Sequence, residues 1–485
     1  MGWYDDEVDE PQTGLERLYG CLFRVVAVIV ILSMLGTALS SVFYLRLRAR
    51  TQPTATPDES IVAAAAATAI PATETPIPPT ETAVSPTATP LPTNTPTPDP
   101  NRVDRIVFVT DELQLQTISP DGSDAQSLTD ANTRFNFPVW SPDAQQIAAI
   151  GNGITRSGVF VLPADSTTDT LQPVYQQRSG GPIYLYWSPD SQNVSFITAS
   201  PAAGMSFHVV PADGSAESEP LFNGQPFYWD WTADSRQILF SSNGQVGLLD
   251  VAVGEQEDVA VPGRFQAPDI STNGRFWAYA AADTFGRLSE LTVEDRETGD
   301  VIRDEHAGVI ALGWRPGANE LAYINPDESS RRFYGPLRLL DAETGNTELL
   351  SAETVLAFFW SPNGRYLAYI TFRGFQEELQ EVAAKRRLTK PAQQTDELQL
   401  TLSVLDLDTG QGLQLLQFQP TALFLTQFLP FFDQYAHSHR LWAPDSDALV
   451  LPVRENGVDE IKVIPVSGGL ARTIAQGSIA FWSPQ

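Results

Sequence analysis

Short apolar runs separated by turn signals fill the chain from residue 103 to its end, and they come in a repeating order. A Trp is followed by a tight polar turn and then an apolar run. The copies read VWSPDAQQIAAI (139–150), YWSPDSQNVSFI (186–197), DWTADSRQILF (230–240), GWRPGANELAYI (313–324), FWSPNGRYLAYI (359–370) and LWAPDSDALVL (441–451). DISTNGRFWAYA (269–280) is a weaker copy with Ile270 in the Trp slot, and FWSPQ (481–485) is a last, partial one. The slot positions are Trp140, Trp187, Trp231, Ile270, Trp314, Trp360, Trp442 and Trp482, spaced by 39 to 47 residues except for one interval of 82.

Between successive slots lies a second element, an apolar strand, an acidic or Gly turn and another strand, as in LLDAETGNTELL (339–350) and VLDLDTGQGLQLL (404–416). Asp and Gly there supply local side-chain bonds and positive φ, which hairpin turns need. Each unit therefore predicts four short strands in about 45 residues, the period of a β-propeller blade. The expected fold class is all-β, a β-propeller of four-stranded blades. Eight blades are favoured; seven, with one irregular pair merged, is the alternative. The array opens midway through a unit, and SIAFW (478–482) supplies the missing strand. The chain's end thus closes the first blade.

Within a unit the Trp is a plate between adjacent blades. Asp143, Asp190, Asp234 and Asp445 recur in the same turn, where Asp bonds nearby backbone N–H groups. A ring of catalytic carboxylates is the competing reading; their repetition favours structure. The pattern W-S-P-D-x-x-x-[IVL]-[AV]-[FY] resembles the WD40-like (PD40) repeat of TolB-type propellers, over about 380 residues. The full S-P-D-G of that family occurs only out of phase, at Ser119-Pro120-Asp121-Gly122, so several turns must tighten without Gly. The resemblance implies a fold and no particular function.

The N-terminal part has a different pattern. After a short acidic tail (1–20), residues 21–46 hold VVAVIVILSMLGTALSSVFYL (25–45), 21 residues without a charge. At about 1.5 Å per residue such a helix spans a bilayer core of about 30 Å. Residues 47–102 follow as a Thr/Pro-rich stalk, predicted to be disordered, with 13 Thr and 12 Pro in 51–100. Pro removes backbone donors and little apolar surface is present, so extended polyproline II is favoured over a core. Arg46, Arg48 and Arg50 follow the apolar run, whereas Arg17 and Arg24 precede it. That bias alone points to a cytoplasmic C-terminal side, but long domains translocate largely regardless of charge. With the stalk, the expectation is a single-pass cell-membrane protein with an extracytoplasmic propeller at 103–485.

Charge narrows the partners. A net charge of −29 and pI near 4.4 exclude nucleic acid as an expected partner, since phosphate binding needs a basic face. Cys21 is the one cysteine, so no intrachain disulfide is possible. No cofactor motif is present, and G-x-S-x-G, Gly-rich phosphate loops and zinc-type Cys/His spacing are absent.

The 82-residue interval breaks the repeat twice. RGFQEELQEVAAKRRLTK (373–390) reads as a helix, with Phe375 and Leu379 at helical spacing and Arg386 and Arg387 late, within an insertion at 373–397. TALFLTQFLPFFDQYAHSHRLW (421–442) then lengthens the approach to Trp442. On a strand His437 and His439 share a face, and with Asp433 they form either a metal or acid–base set or simply packed residues. D-Q-Y-x-x-S-H-x-x-W (433–442) resembles strings in related propellers. These residues mark the irregular blade as the candidate protein- or ligand-binding face. The leading expectation is a binding scaffold and not an enzyme. The alternative is a glycosidase-like hydrolase with carboxylates in the central funnel.

Overall fold

The computed structural model describes residues 104–484 apart from 130–132, 165–171, 179, 201–203, 226, 243–244, 264–266, 283–288, 307–308, 327–333 and 373–397. The expected tail, membrane helix, stalk and helical insertion, with Phe375, Leu379, Arg386 and Arg387, lie outside these residues. Among the described residues no helix is long and apolar enough to cross a membrane.

The described chain is mostly β and its sheets are antiparallel. Four-stranded sheets form from β4 (Arg134–Trp140) to β7 (Pro173–Gln177), from β8 (Gly181–Trp187) to β11 (Phe222–Asn223), from β12 (Phe227–Trp231) to β15 (Gln256–Ala260) and from β16 (Asp269–Ile270) to β19 (Val301–His306). A ten-stranded sheet runs from β20 (Ala311–Trp314) to β29 (Arg472–Gln476). Within it β23 (Thr347–Trp360) serves two sets. Its first half pairs backward, and Trp360 pairs forward with Leu367.

The last sheet joins the first and last strands of the described residues. β1 (Ile106–Val109) lies between β2 (Leu115–Ile118) and β30 (Ile479–Trp482), with Ile106 opposite Trp482 and Val109 opposite Ile479. This is the closure predicted for SIAFW. The same register recurs around the molecule: Trp140 faces Ile147, Trp187 faces Val194, Trp231 faces Ile238, Trp314 faces Leu321 and Trp442 faces Leu449.

Most Trp-slot residues link their unit to the one before it; Trp482 does so only through its backbone N–H, its indole donating to Asp104 Oδ1 at 2.6 Å. The indole N–H of Trp187 donates to the Val139 carbonyl (3.1 Å), Trp314 to Asp269 (3.2 Å), Trp360 to Gly313 (2.9 Å) and Trp442 to Phe359 (2.9 Å). Trp140 donates to the Phe481 carbonyl at 3.3 Å, carrying the series across the junction of β1 and β30. Trp231 reaches its neighbour through Ser195, whose Oγ accepts the indole N–H at 3.1 Å and donates to the Tyr186 carbonyl at 2.7 Å. Ile270 has no indole; its backbone N–H donates to Asp230 Oδ2 at 2.9 Å. The Trp expectation is thereby refined: the ring is both plate and tie.

The repeated aspartates are turn residues, as read from the sequence. Asp143 Oδ1 accepts the Ser141 hydroxyl (2.6 Å) and the Gln145 N–H (3.0 Å), and Asp190 and Asp234 repeat this pattern. Asp445 Oδ1 accepts the Asp447 N–H. The next residue, Ala144, Ser191, Ser235 or Ser446, sits at φ 58 to 67°, the left-handed region that Gly would occupy without cost. The side-chain bonds hold the turn in place of that freedom.

Candidate functional site in the central funnel

Residues 421–442 do not extend as a strand. They fold into a π-turn at Phe424–Phe428, a 3-10 turn at Leu429–Phe431 and helix α1 at Phe432–Ser438. The reason lies in the spacing. Phe424, Phe428, Phe432 and Tyr435 are buried at intervals of four, four and three, a helical stripe that alternation cannot satisfy.

Helix α1 lies against β8, β12, β20 and β23, strands that carry Trp-slot residues of four units, and so plugs the centre of the assembly. Gln434 anchors it as a strand would. Its Oε1 accepts the Trp229 backbone N–H (2.8 Å) and its Nε2 donates to the Trp229 carbonyl (2.9 Å). The Tyr184 hydroxyl donates to the Gln434 carbonyl at 2.8 Å. Asp433, fully enclosed, accepts the Ala267 N–H through Oδ2 at 3.2 Å.

Asp433, His437 and His439 border one cavity, but a helix and not the expected strand brings them there. Four residues apart on α1, Asp433 and His437 share a face. His439 caps the helix and also borders the cavity that Asp433 and His437 line, but its ring packs edge-on against Phe481 (4.5 Å) and Tyr435 (5.1 Å), with Nδ1 2.6 Å from Ser438 Oγ. Burial pushes its imidazole down to about 3, so it is neutral.

His437 instead meets two aspartates from other units. Its Nδ1 is 3.7 Å from Asp230 Oδ1 and 3.8 Å from Asp269 Oδ1. Asp230 is buried and heavily bonded: Oδ1 accepts the Tyr186 hydroxyl and the Trp231 N–H, both at 2.9 Å. Asp269 Oδ2 accepts the Trp314 N–H at 2.8 Å. The three side chains border a cavity of about 520 Å³, walled by Trp231, Trp314, Trp360 and Trp442, with Arg440 also on its lining.

The electrostatics follow from this crowding. Burial, then the Asp230 charge, push the Asp269 carboxyl up to about 7, against the pull of His437. Burial alone pushes Asp433 up to about 6. For His437 burial opposes protonation, yet Asp230, Asp269 and Asp433 together raise its pKa above the ordinary imidazole value. Such a cluster can exchange protons near neutrality or hold a cation.

Sequence reasoning missed Asp230 and Asp269, although a signal was present. The residue before each Trp slot is Val139, Tyr186, Asp230, Asp269, Gly313, Phe359, Leu441 or Phe481. Two adjacent units put a carboxylate where the others put an uncharged residue.

No family model matches the chain. Solved structures of similar fold include a eukaryotic initiation factor, at 12% identity over 79% of this chain and 99% of that one, with a TM-score of 0.49. They also include an oligogalacturonate lyase in complex with manganese, at 13% identity over 71% and 85%, TM-score 0.43. TolB from Acinetobacter baumannii matches at 17% over 64% and 63%, TM-score 0.35. At identities and TM-scores this low, these matches carry no argument about this chain.

Proposed function

We propose that the chain is an eight-bladed propeller, held outside the cytoplasm by its N-terminal apolar segment, that binds a ligand in its central funnel. The observation that carries this reading is the Asp230–Asp269–His437 cluster on a cavity of about 520 Å³. That volume suits a small molecule or one projecting segment of a partner. Burying carboxylates costs several kcal/mol unless they are paired, and a propeller closes without them, as the apolar residues at 139, 359, 441 and 481 demonstrate. The blade count rests on eight Trp-slot positions at corresponding places in the repeat and on the β1–β30 closure. The stalk holds the propeller off the bilayer, and the acidic surface suits no nucleic acid.

One observation favours the enzymatic reading as a second. Asp269, pushed up to about 7 beside a second carboxyl, has the protonation behaviour of a general acid. Incubating the full chain in detergent with glycoside and peptide panels separates the two. Binding without turnover supports the scaffold; turnover lost in D269N supports the enzyme. Membrane insertion is checked by protease protection in vesicles, where an extracytoplasmic propeller is digested only from its own side.

A further inference from the structure

We infer that Asp230, Asp269 and His437 form a site for a divalent transition-metal ion of the zinc or manganese class, with open coordination positions facing the funnel. One ligand atom from each residue lies within 4.8 Å of the other two, and two of the separations are 3.7 and 3.8 Å. A cation in the plane of three atoms so spaced lies about 2 to 2.4 Å from each, a range that begins at the length of a zinc bond to imidazole nitrogen or carboxylate oxygen.

The surroundings aim these atoms. Asp230 Oδ2 is held by the Ile270 N–H and Asp269 Oδ2 by the Trp314 N–H, so each carboxylate is fixed by the backbone of the following unit. Their Oδ1 atoms are the ones turned to His437, at distances beyond a hydrogen bond, with Asp230 Oδ1 also accepting the Tyr186 hydroxyl and the Trp231 N–H. The His437 ring stacks on Tyr186 (centroids 6.0 Å apart) and bonds the Pro268 carbonyl, the kind of second partner that orients a metal-binding imidazole. Asp433 lies alongside on the same helix, and Arg440 lines the same cavity. One nitrogen and two oxygens suit zinc or manganese over calcium or magnesium. Three protein ligands beside a cavity leave positions for an exchangeable ligand, unlike a closed structural site.

The inference builds on the funnel as binding site, but its test needs the metal alone. The full chain in detergent is stripped with a chelator and titrated by calorimetry with zinc chloride and, separately, manganese chloride. The expected result is one ion per chain, with affinity reduced by about 100-fold or more in D269N and in H437Q. Wild-type chain that takes up neither ion, or uptake unchanged in both variants, overturns the site. The wild-type titration is decisive even where a variant misfolds. A null result with organic-ligand binding still lost in D269N removes the metal and leaves the funnel reading standing.

Discussion

An aspartate three positions after a Trp slot and one directly before it do different work. Asp143 closes its own turn, whereas Asp230 and Asp269 point inward and meet His437. The first role was legible because it repeats in sequence. The second was not, because convergence of residues 39 and 168 positions apart is a property of ring geometry that periodicity does not encode. Ser195 shows the same limit: it reads as an ordinary strand residue, yet it ties two indoles, Trp229 and Trp231, to the Tyr186 carbonyl. S195A strands those buried groups and should cost about 3 kcal/mol in urea unfolding, since each unsatisfied group costs about 1–3 kcal/mol. An unchanged midpoint contradicts the relay. His208 offers a pH test away from the funnel. Burial among Phe196 and Tyr175 lowers its pKa to about 4. A folded pKa below the unfolded value of about 6.5 means stability present above pH 6.5 and lost as pH falls through about 4. H208Q should therefore flatten the fall in urea midpoint over that window, and parallel wild-type and variant curves would refute the assignment.

At the scale of elements, helix α1 is where expectation and structure differ most. Alternation of His437 and His439 suggested a strand, but the aromatic stripe from Phe424 to Tyr435 has helical spacing, and burying it decides the outcome. The blades were legible for the opposite reason. Their turns carry Pro, Asp and Asn at fixed offsets, a local chemistry that survives without knowledge of neighbours. The helix is held by one amide in particular. Q434L removes both bonds to the Trp229 backbone and should lower stability by about 2–4 kcal/mol. It should also raise amide exchange over α1 and β12 while distant strands stay protected. Uniform exchange would mean that the helix is not an independent plug.

At the scale of the molecule, the ring closes through β1 and β30, with Trp482 donating its backbone N–H to the Arg440 carbonyl at 2.8 Å. Deleting residues 479–485 opens that junction, and thermal unfolding should lose its single cooperative transition. Retention of one sharp transition would argue against closure as the lock. Closure also creates the funnel and brings the acidic cluster to its wall, which moves the candidate site from the insertion at 373–397 toward the axis. The most direct test of that placement is binding of the full chain to an array of oligosaccharides, amines and short peptides. Whatever the wild type retains is expected to be lost in D269N and kept when 373–397 is deleted. Ligands kept by D269N and lost on that deletion would contradict it.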